Sequence, residues 1–168
     1  MNPIIEKVIS RDVAVPLKEP FKTALRTVTT AETVLVEIHL NDGTVGYGEA
    51  APTPVITGDS KASIHYIVDD LIGPKLIGLS LTNSEEIKRL IEMSAVHNSS
   101  PKAALNIAIN DLLAKQYQVP LYQLLGGYRH EIISDYTVSV GTTSEMIDHA
   151  KSLVAKGFHC LKAKVGSD

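Results

Sequence analysis

The stretch GFHCLKAKVG, residues 157–166, ends a helical run on a glycine and then reads as a strand over 160–165. In a strand, residues two apart face the same way and stand roughly 6.6 Å apart. Lys162 and Lys164 therefore project together, while Leu161, Ala163 and Val165 face the other side. Upstream, 132–140 reads as a second strand and 143–156 as a helix closed by Gly157. Strand, helix and strand make one βαβ unit, with parallel strands and a right-handed crossover. The paired lysines have two readings. A solvated edge strand carries charge on its outer face. Alternatively, two ammonium groups in a partly dry site depress one another's pKa, so that one serves as a base near neutral pH. Their place near the C-terminal end of the strand, just before Gly166, favours the second reading, because α/β sheets and barrels put their chemistry there.

The first fifty residues read as an antiparallel sheet of three strands over 4–17, 33–40 and 44–49. Val34, Val36, Ile38 and Leu40 alternate with the opposite face, and Asn41-Asp42-Gly43 is a hairpin turn. From Asp59 the period becomes helical, with Ile64, Ile67, Val68, Leu71 and Ile72 on one stripe, Asp59 or Ser60 as the cap, and Pro74 as the stop. A second helix starts near Asn83-Ser84, with Ser84 as cap and Ile87, Leu90 and Ile91 as stripe. A third opens on Ser99-Ser100-Pro101 and buries Leu105, Ala108, Ile109 and Leu112. Its Ala103, Ala104 and Ala108 allow close packing. A short helix over 121–125 stops at Gly126-Gly127. The expected organisation is an α+β domain over 1–127, then the βαβ unit over 128–168.

Composition narrows the function. At 168 residues and 44% hydrophobic, the chain has the material for a real core, and its net charge of -3 supplies no field for a phosphate backbone, so no nucleic acid is expected. The single Cys160 excludes an internal disulfide, suits a reducing compartment, and reads as a small core residue. The N-terminal MNPIIEKVISRDV carries charges inside its apolar run, so it is neither a signal peptide nor a spanning helix, and a cytoplasmic protein with no membrane partner is expected. The six histidines show no metal spacing, and none is assigned to a metal. Gly46-Tyr47-Gly48-Glu49-Ala50 lacks a third glycine and opens no helix, so it reads as a structural turn and not as a nucleotide loop.

Five blocks carry a resemblance: VPLKEPFKTALRTVTTAETVLVEI at 15–38, GYGEAAPTPVITGDS at 46–60, KAALNIAINDLLAKQYQVPLYQLLGGYR at 102–129, DYTVSV at 135–140, and GFHCLKAKVG with its Lys-x-Lys. In this order they resemble the enolase superfamily, muconate-lactonising subgroup, and within it the dipeptide epimerases of the L-Ala-D/L-Glu type. The resemblance implies a capping domain of antiparallel sheet plus helices, followed by the first βαβ unit of a (β/α)-barrel. It implies 1,1-proton transfer at the α-carbon of a dipeptide, with Mg²⁺ holding the enediolate. Lys164 matches the acid/base, and Lys162 the lysine that contacts the substrate carboxylate. Arg26 matches the arginine that binds an acidic C-terminal residue, in a loop that also brings Phe21 to the substrate. Ile56 and Thr57 match the hydrophobic lip, and Thr137 a substrate-contacting threonine. Asp59, by contrast, reads as the cap of the helix that follows it.

The resemblance also implies what lies elsewhere. The three acidic metal ligands and a second catalytic lysine belong to later barrel strands, past Asp168, so no metal ligand is assigned in this chain. A (β/α)₈ barrel takes about 250 residues, whereas only residues 128–168 follow Gly127. The expectation is therefore the N-terminal part of a dipeptide epimerase, inactive alone and a homo-oligomer when complete. The alternatives are a muconate cycloisomerase or o-succinylbenzoate synthase, and a noncatalytic capping-domain fragment.

Overall fold

The alternation of Val34, Val36, Ile38 and Leu40 is realised in β2 (Thr27–Leu40), the middle strand of an antiparallel sheet ordered β1 (Ile5–Lys22), β2, β3 (Val45–Ala50). All four side chains are buried. The computed structural model describes residues 2–22 and 27–163. The β2–β3 turn forms as expected: Gly43 takes φ +84°, its N–H donates to the Leu40 carbonyl, and the Asp42 carboxylate accepts the Thr44 N–H at 2.8 Å. β1 and β2 run well past the expected 4–17 and 33–40, because the polar stretches beyond the core also pair as strand.

The chain divides into two units. The first takes Met1–Ala14 and Glu32–Tyr128, the second Val15–Ala31 and Arg129–Asp168. In the first, helices α1 (Lys61–His65), α2 (Gly73–Leu76), α3 (Ser84–Met93), α4 (Ser99–Gln116) and α5 (Leu121–Leu124) accompany the sheet. Its core joins Ile5 and the β2 row to Ile64, Val68, Ile72, Ile87, Ile91, Leu105, Ile109 and Leu112.

The glycines of GYGEA are not a turn. Gly46 and Gly48 lie in β3, in register with Ile38 and Val36, on the face that meets α4. A Cβ on Gly48 would stand 1.9 Å from the Ala104 carbonyl oxygen, and one on Gly46 would stand 2.4 Å from that of Ala108. Strand and helix backbones thus touch, as the alanine spacing allowed. Ala104 and Ala108 make this approach; Ala103 is exposed.

Two helix boundaries differ from expectation, and at a third one of the two expected caps is used. Ser60 caps α1 in a reciprocal box with Ser63, whereas Asp59, 3% exposed, accepts the Ser100 N–H at 3.1 Å and so serves the start of α4 instead. That bond is needed because the cap residue of α4 is Asn98, in the left-handed region at φ 51°, with no side-chain cap of its own. At α3 the cap position is Asn83, with Ser84 already helical. Pro74 does not stop its helix: a π-helical segment, Tyr66–Ile72, follows α1, and Pro74 sits in the first turn of α2. There its missing N–H costs nothing, and the widened turn relieves the clash of its ring with the carbonyl four residues back.

In the second unit, β4 (Tyr136–Val138) and β5 (Leu161–Ala163) form a parallel pair joined through α6 (Thr143–Ala155). Val138 and Leu153 are buried there. β4 is shorter than the expected 132–140, since Ile132 and Ile133 stand outside it, more than 80% exposed. Cys160 is exposed and not a core residue; its backbone carbonyl accepts the Tyr136 N–H at 3.1 Å. Among the described residues no helix is long and apolar enough to cross a membrane.

Candidate active site

Register places two of the singled-out residues side by side. Thr137 of β4 is the direct partner of Lys162 of β5. In parallel strands, partners share a face and lie about 4.8 Å apart. Which face follows from Tyr136, whose ring meets that of His149 on α6 edge-on, with centroids 6.1 Å apart. Tyr136 therefore points to the helix, and by alternation Thr137 and Lys162 point to the opposite face of the strand pair. A hydroxyl and an ammonium on one side of a strand pair are donors suited to an anionic group. Lys162 is exposed. Lys164, like Arg26, lies outside the described residues.

A cavity of about 600 Å³ lies within the same unit, lined by the end of β1, by Val28 and by β4. Phe21 and Thr137 both line it, together with Glu19, Asp135, Tyr136 and His149. The structure thus gathers Phe21, Thr137 and, through register, Lys162. Ile56 and Thr57 belong to the first unit, on a turn whose Ile56 and Thr57 N–H groups donate to the Thr53 carbonyl. Ile56 is 68% exposed, whereas the Thr57 hydroxyl accepts the Asp59 N–H at 3.3 Å and lies 3.1 Å from that of Thr53. Thr57 therefore also closes its own loop.

Glu19 and His149 were not singled out by sequence. His149 sits on a helix with no second histidine at helical spacing, and Glu19 is one acidic residue among nineteen. Only the fold joins them. The cavity's β1 wall is tied to the βαβ unit at three points. Val140 N–H donates to the Lys22 carbonyl at 3.4 Å, Lys156 Nζ donates to Glu19 Oε1 at 3.2 Å, and His149 Nε2 stands 3.8 Å from Glu19 Oε2. At the start of α6, Thr142 and Glu145 form a capping box. The Thr142 N–H donates to the Glu145 carboxylate at 2.8 Å, and this bond, reinforced by the Thr142 hydroxyl, holds the carboxyl below its ordinary range.

Among the described residues, no three His, Cys, Asp or Glu side chains converge to hold a metal ion.

Known proteins match this chain in sequence and fold. The L-Ala-D/L-Glu epimerase of Bacillus subtilis is 49% identical over 156 residues, which is 93% of this chain and 43% of that protein. The solved substrate-liganded complex of the Bacillus subtilis epimerase superposes with a TM-score of 0.94 at 47% identity, covering 98% of this chain and 46% of the other. A dipeptide epimerase from Cytophaga hutchinsonii, solved with Mg and the dipeptide D-Ala-L-Val, gives 0.90 at 38% identity, covering 98% and 45%. The chain spans less than half the length of the relatives it matches. The family model for the N-terminal domain of mandelate racemase and muconate lactonizing enzyme matches residues 5–126, and the chain belongs to that family.

Proposed function

We propose that the whole protein epimerises dipeptides of the L-Ala-D/L-Glu type by removing and returning an α-proton. The observation that carries the reading is the pairing of Thr137 with Lys162 beside a cavity that Phe21 also lines. The relatives' activity agrees with it. In this reading the boundary between capping domain and barrel lies near Gly127, and 128–168 open the barrel.

Lys164 takes the α-proton on one face of the α-carbon. Lys162, two residues earlier, contacts the carboxylate whose α-carbon reacts, and its positive charge keeps the neighbouring amine's pKa low, so that the amine is partly neutral and can take a proton. Thr137 donates or accepts one hydrogen bond at the same level. Arg26 offers a bidentate fork to the acidic side chain of the dipeptide, and Ile56, Thr57 and Phe21 cover its apolar parts. Magnesium would supply charge stabilisation at the carboxylate, held by acidic residues other than those described here.

The deciding experiment incubates the protein carrying its full barrel with L-Ala-L-Glu and Mg²⁺ in D₂O and follows the glutamyl α-proton by NMR. Washout of that signal with growth of the diastereomer is expected. A silent dipeptide spectrum alongside turnover of a muconate would overturn the reading.

A further inference from the structure

The end of β1 carries Glu19 next to Pro20 and Phe21, which wall the cavity against Thr137. Its carboxylate is engaged from α6 and the residue that follows it. Lys156 holds one oxygen at 3.2 Å, and His149 Nε2 faces the other at 3.8 Å. The second nitrogen of that imidazole fixes the chemistry of the first. Nδ1 accepts the Ser139 N–H at 3.3 Å, so it presents a lone pair, and the proton of the neutral ring sits on Nε2. That Nε2 atom is buried and has no hydrogen-bond partner. The nearest carboxylate is that of Glu19, and a shift of well under one residue's width brings the two into hydrogen-bond range.

We infer that Glu19, His149 and Lys156 form a latch that positions Pro20 and Phe21 against the first barrel strand and so sets the width of the substrate cavity. The three are positioning residues: they act through the β1 wall and not on the reacting atoms. The latch stands on geometry alone, while its consequence for the substrate rests on the epimerase reading.

Two substitutions of one residue separate the parts of the imidazole. His149→Asn keeps an acceptor for the Ser139 N–H but loses the Nε2 donor, whereas His149→Gln can place a donor where Nε2 stood. Glu19→Ala removes the latch from the other side. All are made in the protein with its full barrel, and folding is checked by circular dichroism. The first readout is amide exchange at Val140, whose N–H donates to Lys22 in the held segment. Exchange is expected to quicken by roughly three- to tenfold in Glu19→Ala and His149→Asn, and to stay near wild type in His149→Gln. The second readout is KM against kcat with a dipeptide. KM should rise by roughly the same factor, with kcat changed less than about twofold. Unchanged Val140 exchange in both Glu19→Ala and His149→Asn overturns the latch. Faster exchange with unchanged KM overturns its role in shaping the cavity. If the wild type turns over no dipeptide, the epimerase reading fails and the exchange data still decide the latch.

Discussion

Thr137 and Lys162 are register partners across the parallel pair β4–β5, on the face turned away from α6. One hydrogen-bonding hydroxyl and one cation are thereby set at the same height by backbone pairing alone, before any side chain adjusts. Register in a half-buried strand is strongly specified, because a slip of one residue exchanges the two faces.

The lysines give the first prediction. Lys164→Ala in the protein with its full barrel should lower kcat by at least about 10²–10⁴-fold, the usual contribution of a positioned acid/base. Lys162→Met should raise KM and lower kcat together, and because Lys162 is exposed it should leave the melting curve unchanged. Wild-type turnover by Lys164→Ala removes it from the proton-transfer role.

Arg26→Met tests specificity separately from chemistry. KM should rise by roughly 10- to 100-fold for a dipeptide ending in Glu, the scale of a lost charge-assisted pair. A dipeptide ending in a neutral residue should be little affected. Equal losses on both would show that the arginine does not read the acidic side chain.

Gly48→Ala probes the closest approach in the first unit. Its Cβ would fall 1.9 Å from the Ala104 carbonyl oxygen, a backbone atom of α4 that moves only if the helix moves. Overpacking of this kind costs about 1–3 kcal/mol or more, and at this chain length each kcal/mol lowers Tm by roughly 2–4 °C. A melting temperature equal to wild type would mean that strand and helix are not in backbone contact.

This approach also marks where the sequence stops being readable. The alternation through Leu40 and the stripe over Leu105, Ala108, Ile109 and Leu112 are periodic, and periodicity is local, so both were legible. That Gly48 meets Ala104 is a relation between two elements, invisible in either, and the glycines were read as a turn. The same holds for Asp59, read as the cap of the helix beside it but bonded to Ser100. Ile132 and Ile133 extended a strand on paper because an apolar run says nothing about whether a partner lies alongside. In the site, Lys162 and Thr137 could be singled out from strand positions and family blocks. Glu19 and His149, distant in the chain and ordinary in their surroundings, could not.

Asp59 offers a graded test. Asp59→Ala leaves the Ser100 N–H without its acceptor at the start of an 18-residue helix, a loss of about 0.5–2 kcal/mol. Asp59→Asn keeps an oxygen in place and forfeits only the interaction of its charge with the helix dipole, about 0.3–1 kcal/mol. Urea midpoints should therefore fall in the order wild type, Asn, Ala. An Asn variant as unstable as Ala would assign the whole effect to charge and none to the hydrogen bond.

Acid stability follows from groups whose charge is held by defined bonds. Glu145 is kept below its ordinary value of 4.5 by the Thr142 N–H and then by the Thr142 hydroxyl. Asp12 is lowered from 3.8 chiefly by its hydrogen bond with His65, and Asp42 by Thr44. A carboxyl whose folded pKa is depressed stabilises the fold above its unfolded pKa, and this contribution is lost as pH falls through the folded value. Lys61 works in the opposite direction. Glu32, its largest influence, raises it from 10.5, so its contribution is full below that value and is lost as pH climbs through the folded one. Stability from these four groups should be level across neutral pH and decline at both ends. Glu145→Gln should shrink the difference in urea midpoint between about pH 7 and about pH 3, and leave the alkaline limb alone. Lys61→Met should do the reverse. If Glu145→Gln shifted both limbs equally, the capping carboxylate would be acting through packing and not through its charge.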